Sequence, residues 1–317
     1  MKKAFTLVEI IFVIVVLSIV MGGTFDYILS VYRTYVKANS VNTMQNDLDI
    51  TLTQIANQLS YRIKDSVIYG GGANELFNRT NESDNSTMEW ISYSRESMLG
   101  LWDSGQSAIM PGWTGFIDRA HIDTTASPQT LISSGSNLEF ANKIINELSN
   151  DGINEVNLTT SEVALIIPRE DKDVSVYGWY CTKATNQCDS NNSFVVNCQG
   201  ATGGSCPNPE TFSLVETGGN TDFASITNTD RYYLAWSAYA IDRDDTNLTF
   251  RYNYRPWLGE TKNSGKSALL LKNVTLFNFW QDGNTIWLKI CIDSSNSDTI
   301  SENNNSSYGF CKERVIY

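Results

Sequence analysis

No proline precedes Pro111, no cysteine precedes Cys181, and the only histidine is His121. Each scarcity excludes something. Without proline, nothing in the first hundred or so residues forces a helix to break. A single histidine leaves little room for a Ser-His-Asp triad, and the H-E-x-x-H zinc motif is missing. The chain also lacks a G-x-x-x-x-G-K-[ST] phosphate loop, a G-x-G-x-x-G turn and a G-x-S-x-G elbow. His121, in the segment Arg119-Ala120-His121, therefore reads as a surface or loop residue. Basic residues are few as well: 23 Lys and Arg against 35 Asp and Glu leave a formal charge of −12. Nucleic-acid backbones require a basic footprint, so nucleic acid is excluded as a partner. No catalytic constellation emerges, and the expectation is a non-enzyme.

What the sequence does have is concentrated at its start. Lys2 and Lys3 precede a run from Phe5 to Met21 broken only by Thr6, Glu9 and Ser18. The two lysines predict a cytoplasmic N-terminus, with the rest of the chain sent across the inner membrane. The run is at the short end of the roughly 17–25 residues that span a bilayer. A secretory signal is the alternative, but its small-residue A-x-A cleavage pattern is missing. Glu9 does not suit that alternative either. An unpaired carboxylate in lipid costs several kcal/mol, so it marks a function and calls for a cationic partner at similar depth.

Lys2-Lys3-Ala4 followed by Phe5-Thr6-Leu7-Val8-Glu9 and an aliphatic run resembles the leader of type IV prepilins and type II secretion pseudopilins. The resemblance implies cutting between Ala4 and Phe5 by a prepilin peptidase, then N-methylation of Phe5. The family usually has glycine where Ala4 stands. It also implies the partner for Glu9, namely the N-terminal amine of a neighbouring subunit inside an apolar helix bundle. Other pilins or pseudopilins, the peptidase and the membrane are thus the expected partners.

Beyond the membrane run, Val41, Met44, Leu48, Leu52, Ile55, Leu59, Ile63 and Val67 recur every three or four residues. That is the apolar seam of an amphipathic helix. With Gly22-Gly23 as a soft point and Gly70-Gly71-Gly72 as the stop, one helix is predicted from Phe5 to about Tyr69. It would be about 95 Å long. The expected division is a leader at 1–4, an assembly helix at 5–23, its amphipathic continuation at 24–69 and a head at 70–317. A coiled-coil stalk is the rival use of the seam.

Within the head, residues 70–128 read as loops with short strands. Asn137–Asn150 has helical spacing, with Ser136 or Asn137 as its cap. Strands are expected at Glu162–Pro168 and Val174–Tyr180. Hairpins are expected from Tyr232–Ile241 with Leu248–Tyr254, and from Ser267–Trp280 with Thr285–Asp293, the latter around Asp282-Gly283. The fold class is therefore α+β: a long N-terminal helix packed on antiparallel sheet, the plan of the resembled family. The late hairpins and large head are most like J-type minor pseudopilins or large minor pilins.

Six cysteines, Cys181, Cys188, Cys198, Cys206, Cys291 and Cys311, sit largely in polar loop sequence. Their gaps do not fit the C-x₂₋₄-C spacing of structural zinc, so disulfides in an oxidising compartment are expected. Pairing of sequence neighbours is the simplest connectivity. The aspartates of a hairpin turn, Asp242, Asp244 and Asp245 with Asn247, supply closely spaced oxygens that suit calcium. Arg243 interrupts them, and the glycine and closing glutamate of an EF-hand are missing, so no cofactor is the primary expectation. A subunit that initiates or caps a fibre at its tip is the implied function, because a head this large is awkward at every position of a close-packed fibre. A fibre-displayed adhesin, using an outer aromatic face, is the alternative.

Overall fold

A computed structural model describes residues 6–69, 87–150, 155–168, 174–179, 192–219, 222–226, 229–293 and 309–317. One helix dominates the N-terminal part. Helix α1 (Leu7–Leu59) runs unbroken for 53 residues, continuing through Gly22 and Gly23. No proline interrupts it.

The helix ends at Leu59, about ten residues before the predicted stop. Its last turn tightens, with Tyr61 N bonded to Gln58 O and Arg62 N to Leu59 O. The buried Arg62 guanidinium then donates from Nη1 to Leu59 O (2.8 Å) and from Nη2 to the carbonyl of Asn284. Burial pushes that guanidinium below its ordinary pKa. From Ile63 onward the chain belongs to a sheet, since Ile63 N bonds Ile91 O. Strand β1 (Ile68–Tyr69) pairs with β2 (Thr87–Ile91). Ile63 and Val67 are buried as the seam predicted, but in an extended segment broken by a short 3₁₀ turn. The expected glycine stop at 70–72 lies outside the described residues.

Helix α2 (Arg95–Leu99) leads into the small hairpin β3 (Leu101–Asp103) and β4 (Ala108–Met110). Strand β5 (Thr130–Ile132) precedes α3 (Leu138–Ser149), whose N-cap Asn137 accepts from Phe140 N, as its position in the sequence suggested. Then come β6 (Ala164–Ile166), β7 (Ser193–Cys198), β8 (Thr211–Gly219) and β9 (Tyr233–Ala235). The chain closes with β10 (Ala238–Asp244), β11 (Asn247–Tyr254), β12 (Lys266–Leu271), β13 (Val274–Asp282), β14 (Thr285–Asp293) and β15 (Gly309–Ile316).

These strands form antiparallel sheets ordered β1-β2-β10-β11-β12, β5-β8-β7-β6-β9 and β13-β14-β15. The first sheet is the middle layer. One face, with Met88, Trp90, Ile241 and Leu248, shares a core with α1 and with Phe277, Phe279, Leu288 and Ile290 of the three-stranded sheet. The other face, with Ile91, Ala238, Ala240 and Tyr254, packs on Ala164, Ile166 and Val195 of the second five-stranded sheet. That sheet turns Leu165, Phe194 and Val196 toward Leu138, Ala141 and Ile145 of α3. The period-two alternation of each strand makes such two-faced packing possible.

Two expected strands cross between sheets. Tyr232–Ile241 divides into β9 and β10 at Trp236-Ser237, where the Ser237 hydroxyl accepts from Asn253 N and donates to Ala238 O. Ser267–Trp280 divides into β12 and β13 at Asn273, whose φ of 59° turns the chain. The expected strand at Val174–Tyr180 is instead a 3₁₀ turn, Val174–Tyr177. Val174, Val176, Tyr177 and Trp179 are all buried, and Gly178 at φ +90° passes so close to Trp257 that a Cβ would lie 2.8 Å from its side chain. Tyr180 lies outside the described residues.

Candidate functional site: the N-terminal helix and its mount on the head

Five residues of α1 hold it on the head. Leu48, Leu52, Ile55, Ala56 and Leu59 are buried at helical spacing, with Thr51 beside them. Each large side chain contributes about 1.5–3 kcal/mol on burial, against tenths from helix propensity, so packing fixes where the helix lies. Polar contacts flank this face: Lys312 pairs with Asp49, and Arg314 Nη1 donates to Thr53 Oγ1 (2.8 Å). The seam therefore faces the chain's own head.

The other half of the helix is bare. Every residue from Leu7 to Ile28 is exposed, although most are aliphatic or aromatic. An 18-residue stretch of α1 is long and apolar enough to cross a membrane, and none of it is buried in the protein. Its few hydroxyls are satisfied internally: Ser18 donates to Ile14 O (2.7 Å) and Thr24 to Val20 O (3.0 Å). Such back-bonding lets a hydroxyl enter an apolar medium without an unmet donor.

Thr6 stands at the N-cap position, with its carbonyl accepting from Glu9 N (3.1 Å) and Ile10 N (3.3 Å). Glu9 is the acidic residue of the first turn. There the helix macrodipole favours a negative charge, which offsets part of its cost in an apolar setting. Ala4 and Phe5 lie outside the described residues.

The remaining sequence-predicted sites divide clearly. Cys198 pairs with Cys206 and Cys291 with Cys311 in disulfides, while Cys181 and Cys188 lie outside the described residues. The first bridge is held to α3 by Glu139, which accepts from Cys206 N (2.7 Å). The second joins directly opposed residues of β14 and β15.

The four turn residues proposed for calcium do not converge. Asp242 turns toward Lys262 Nζ (2.8 Å), Arg251 Nε (3.2 Å) and the Thr87 hydroxyl (2.6 Å). Burial works against its ionisation, but Lys262, Thr87 and Arg251 outweigh it and hold the carboxyl below its ordinary pKa. Asp244 pairs with Asn247 at the hairpin end, and Asp245 occupies the turn at φ 55°. Among the described residues no three His, Cys, Asp or Glu side chains form a metal-binding group. His121 is on the surface, 2.7 Å from Asp118.

Among the aromatics from Tyr232 onward, Tyr232, Tyr254, Trp257, Phe277 and Phe279 are buried, whereas Trp280 and Trp287 stack across β13 and β14 and are only partly buried. The sequence reading missed a different surface. Trp102 and Ile109, opposed on the β3–β4 hairpin, are 64% and 67% exposed. The only sequence signal was two apolar pairs around Asp103-Ser104-Gly105, too short for a periodic pattern.

Residues 1–25 match the family model of the prokaryotic N-terminal methylation motif. No curated protein and no solved structure matches the chain. The motif supports a pilin-type or pseudopilin-type subunit, structural in role, anchored by a single apolar helix and built to assemble with other such subunits. The fold agrees in kind: a long apolar N-terminal helix whose far end is mounted on antiparallel sheets and disulfide-bonded loops.

Proposed function

We propose that this chain is a minor pseudopilin or minor pilin, a non-catalytic subunit that helps initiate or cap a type II secretion pseudopilus or type IV pilus at its tip. The observation that carries this reading is the bare apolar half of α1 with a carboxylate in its first turn, inside the segment that matches the methylation motif. A prepilin peptidase cuts between Ala4 and Phe5, and the new amine of Phe5 is methylated. The chain waits in the inner membrane with its head on the periplasmic side. On assembly, Glu9 meets the Phe5 amine of a neighbouring subunit, because a buried charge left without its partner costs about 3–5 kcal/mol. The size of the head, with four sheets and α3 among the described residues, argues for the tip, where no further head must stack above it.

Deleting the gene and quantifying the chain in sheared fibres tests the role. An assembly subunit predicts loss of fibres or secretion on deletion, with the chain present far below the stoichiometry of the main subunit. Intact fibres with lost attachment would instead make the chain a displayed adhesin. The exposed Trp102 and Ile109 favour that second reading.

A further inference from the structure

Between its bare run and its mount, α1 carries an apolar stripe that the head does not cover. Tyr27, Ile28, Val31, Tyr32 and Tyr35 line one shallow concavity along the helix, and each is at least half exposed. Asp26, Ser30, Arg33 and Thr34 occupy most of the other positions, with the Thr34 hydroxyl turned back to Ser30 O, and Leu29 is the one apolar residue among them. The first fully buried helix residue, Leu48, comes more than three turns later.

Continuity with the apolar run says what covers the stripe. Leu7–Thr24 rises about 27 Å, close to the hydrocarbon thickness of a bilayer of about 30 Å. Leu7–Tyr35 rises about 43 Å, which matches the full thickness of about 40–45 Å with both headgroup layers. With Leu7 at the cytoplasmic headgroups, the far edge of the hydrocarbon falls near Val31, so the segment from Phe25 to Tyr35 straddles the headgroup–acyl boundary. Its chemistry fits that depth: tyrosine has an apolar ring and a polar tip, and arginine can reach lipid phosphate while its stem stays in apolar surroundings. Because α1 is unbroken at Gly22-Gly23, the stripe is immersed by tilting the whole helix, and spanning helices commonly tilt by about 20°.

We infer that Phe25–Tyr35 is an interfacial anchor, seated in the headgroup–acyl boundary of a bilayer on its Tyr27–Tyr35 side and hydrated on its Asp26–Arg33 side. The inference rests on the reading of Leu7–Thr24 as a membrane span. Its consequence is a fixed height for the head. From Tyr35 to Leu48 the helix rises about 20 Å, and this length separates the membrane surface from the first buried contact.

The test places single cysteines between positions 10 and 40 of the full-length chain, reconstituted in vesicles of phosphatidylcholine and phosphatidylglycerol. The unsubstituted chain serves as blank for the native cysteines, and an impermeant maleimide is the probe. Positions 28, 31 and 35 should label roughly tenfold more slowly than 26, 30 and 33, a difference of about 1.4 kcal/mol in the barrier. Positions beyond Lys37 should label freely. In the combined Tyr27→Ser, Tyr32→Ser and Tyr35→Ser background, positions 28 and 31 should label as fast as 26, 30 and 33 while positions 10–24 stay protected. Even labelling from position 25 onward would overturn the anchor. So would protection of 28, 31 and 35 that disappears when the protein is diluted in lipid, since the occupant would then be another copy. Free labelling at positions 10–24 would instead overturn the membrane span beneath the inference.

Discussion

Leu7–Thr24 and Leu48–Leu59 are parts of one helix, and both are rich in leucine and isoleucine, yet one is bare and the other carries the head. The difference is pattern. In the second segment apolar residues return every three or four positions, so a single face can be sealed by sheets while Asp, Gln and Asn keep the rest in water. In the first, apolar residues surround the whole circumference, and no one-sided partner can bury them. Such a cylinder suits a medium that is apolar on all sides, first lipid and, on the proposed reading, a bundle of like helices. A continuous helix lets the two halves act as a rigid rod, so a change of environment at one end moves the head at the other.

The comparison breaks most visibly if the two halves respond alike to truncation. Leu52→Ala should lower the unfolding free energy of the full chain in detergent by about 2–5 kcal/mol, because the side chain is buried between two sheets. Ile14→Ala should leave urea unfolding of the head unchanged. Equal losses would mean that the bare half also supports the head. Next in size are the staples. Replacing Cys198 and Cys206 with serine should cost about 2–4 kcal/mol in the same assay, as should replacing Cys291 and Cys311. Neither change should alter membrane insertion.

A smaller effect comes from Glu89, which is 5% exposed and accepts from the Tyr254 hydroxyl at 2.8 Å. Burial raises its carboxyl above the ordinary value, and the Tyr254 bond and Lys262 reduce that rise without cancelling it. A carboxyl with a raised folded pKa contributes stability that is complete below its unfolded pKa and is lost as pH rises through the folded value. Relative to Glu89→Gln, the wild type should therefore gain stability as pH falls into the carboxylate range. At neutral pH the variant should be at least as stable, with a gain of about 1 kcal/mol. Urea midpoints of both proteins across pH check the sign. The smallest expected effect is that of calcium. With Asp242 held by Lys262 and Arg251, calcium or a chelator should leave the melting temperature of the full chain unchanged. A clear shift would show that this turn rearranges around the ion.

What could be read from sequence was chemistry written in neighbouring residues. The run after Lys2-Lys3, the seam from Met44 to Leu59, the Asn137 cap and the Asp282-Gly283 turn are each set within a few positions, and the structure has a helix, a packed face, a capped helix and a hairpin there. The features that escaped depend on distant partners. The helix stops at Leu59 because β2 captures Ile63 and Arg62 reaches the Asn284 carbonyl. Alternation continues through Trp236-Ser237 and through Asn273, so nothing local announces that the chain changes sheets there. The 3₁₀ turn at Val174–Tyr177 had the alternation of a strand, but Val174, Val176 and Tyr177 are all buried, in one core with Trp257. The candidate site was legible for the same local reason: Glu9 stands out against its apolar neighbours, whereas Trp102 and Ile109 become a surface only once β3 and β4 pair.

Fibre incorporation of Glu9→Ala, compared with its processing, tests the central claim that the bare half of α1 is the assembly element. Mass spectrometry of the N-terminus and blotting of sheared fibres read the two steps separately. The account predicts normal cutting between Ala4 and Phe5, normal methylation and membrane residence, an unaltered head, and loss of the chain from fibres. Wild-type amounts of the processed variant in fibres would contradict it.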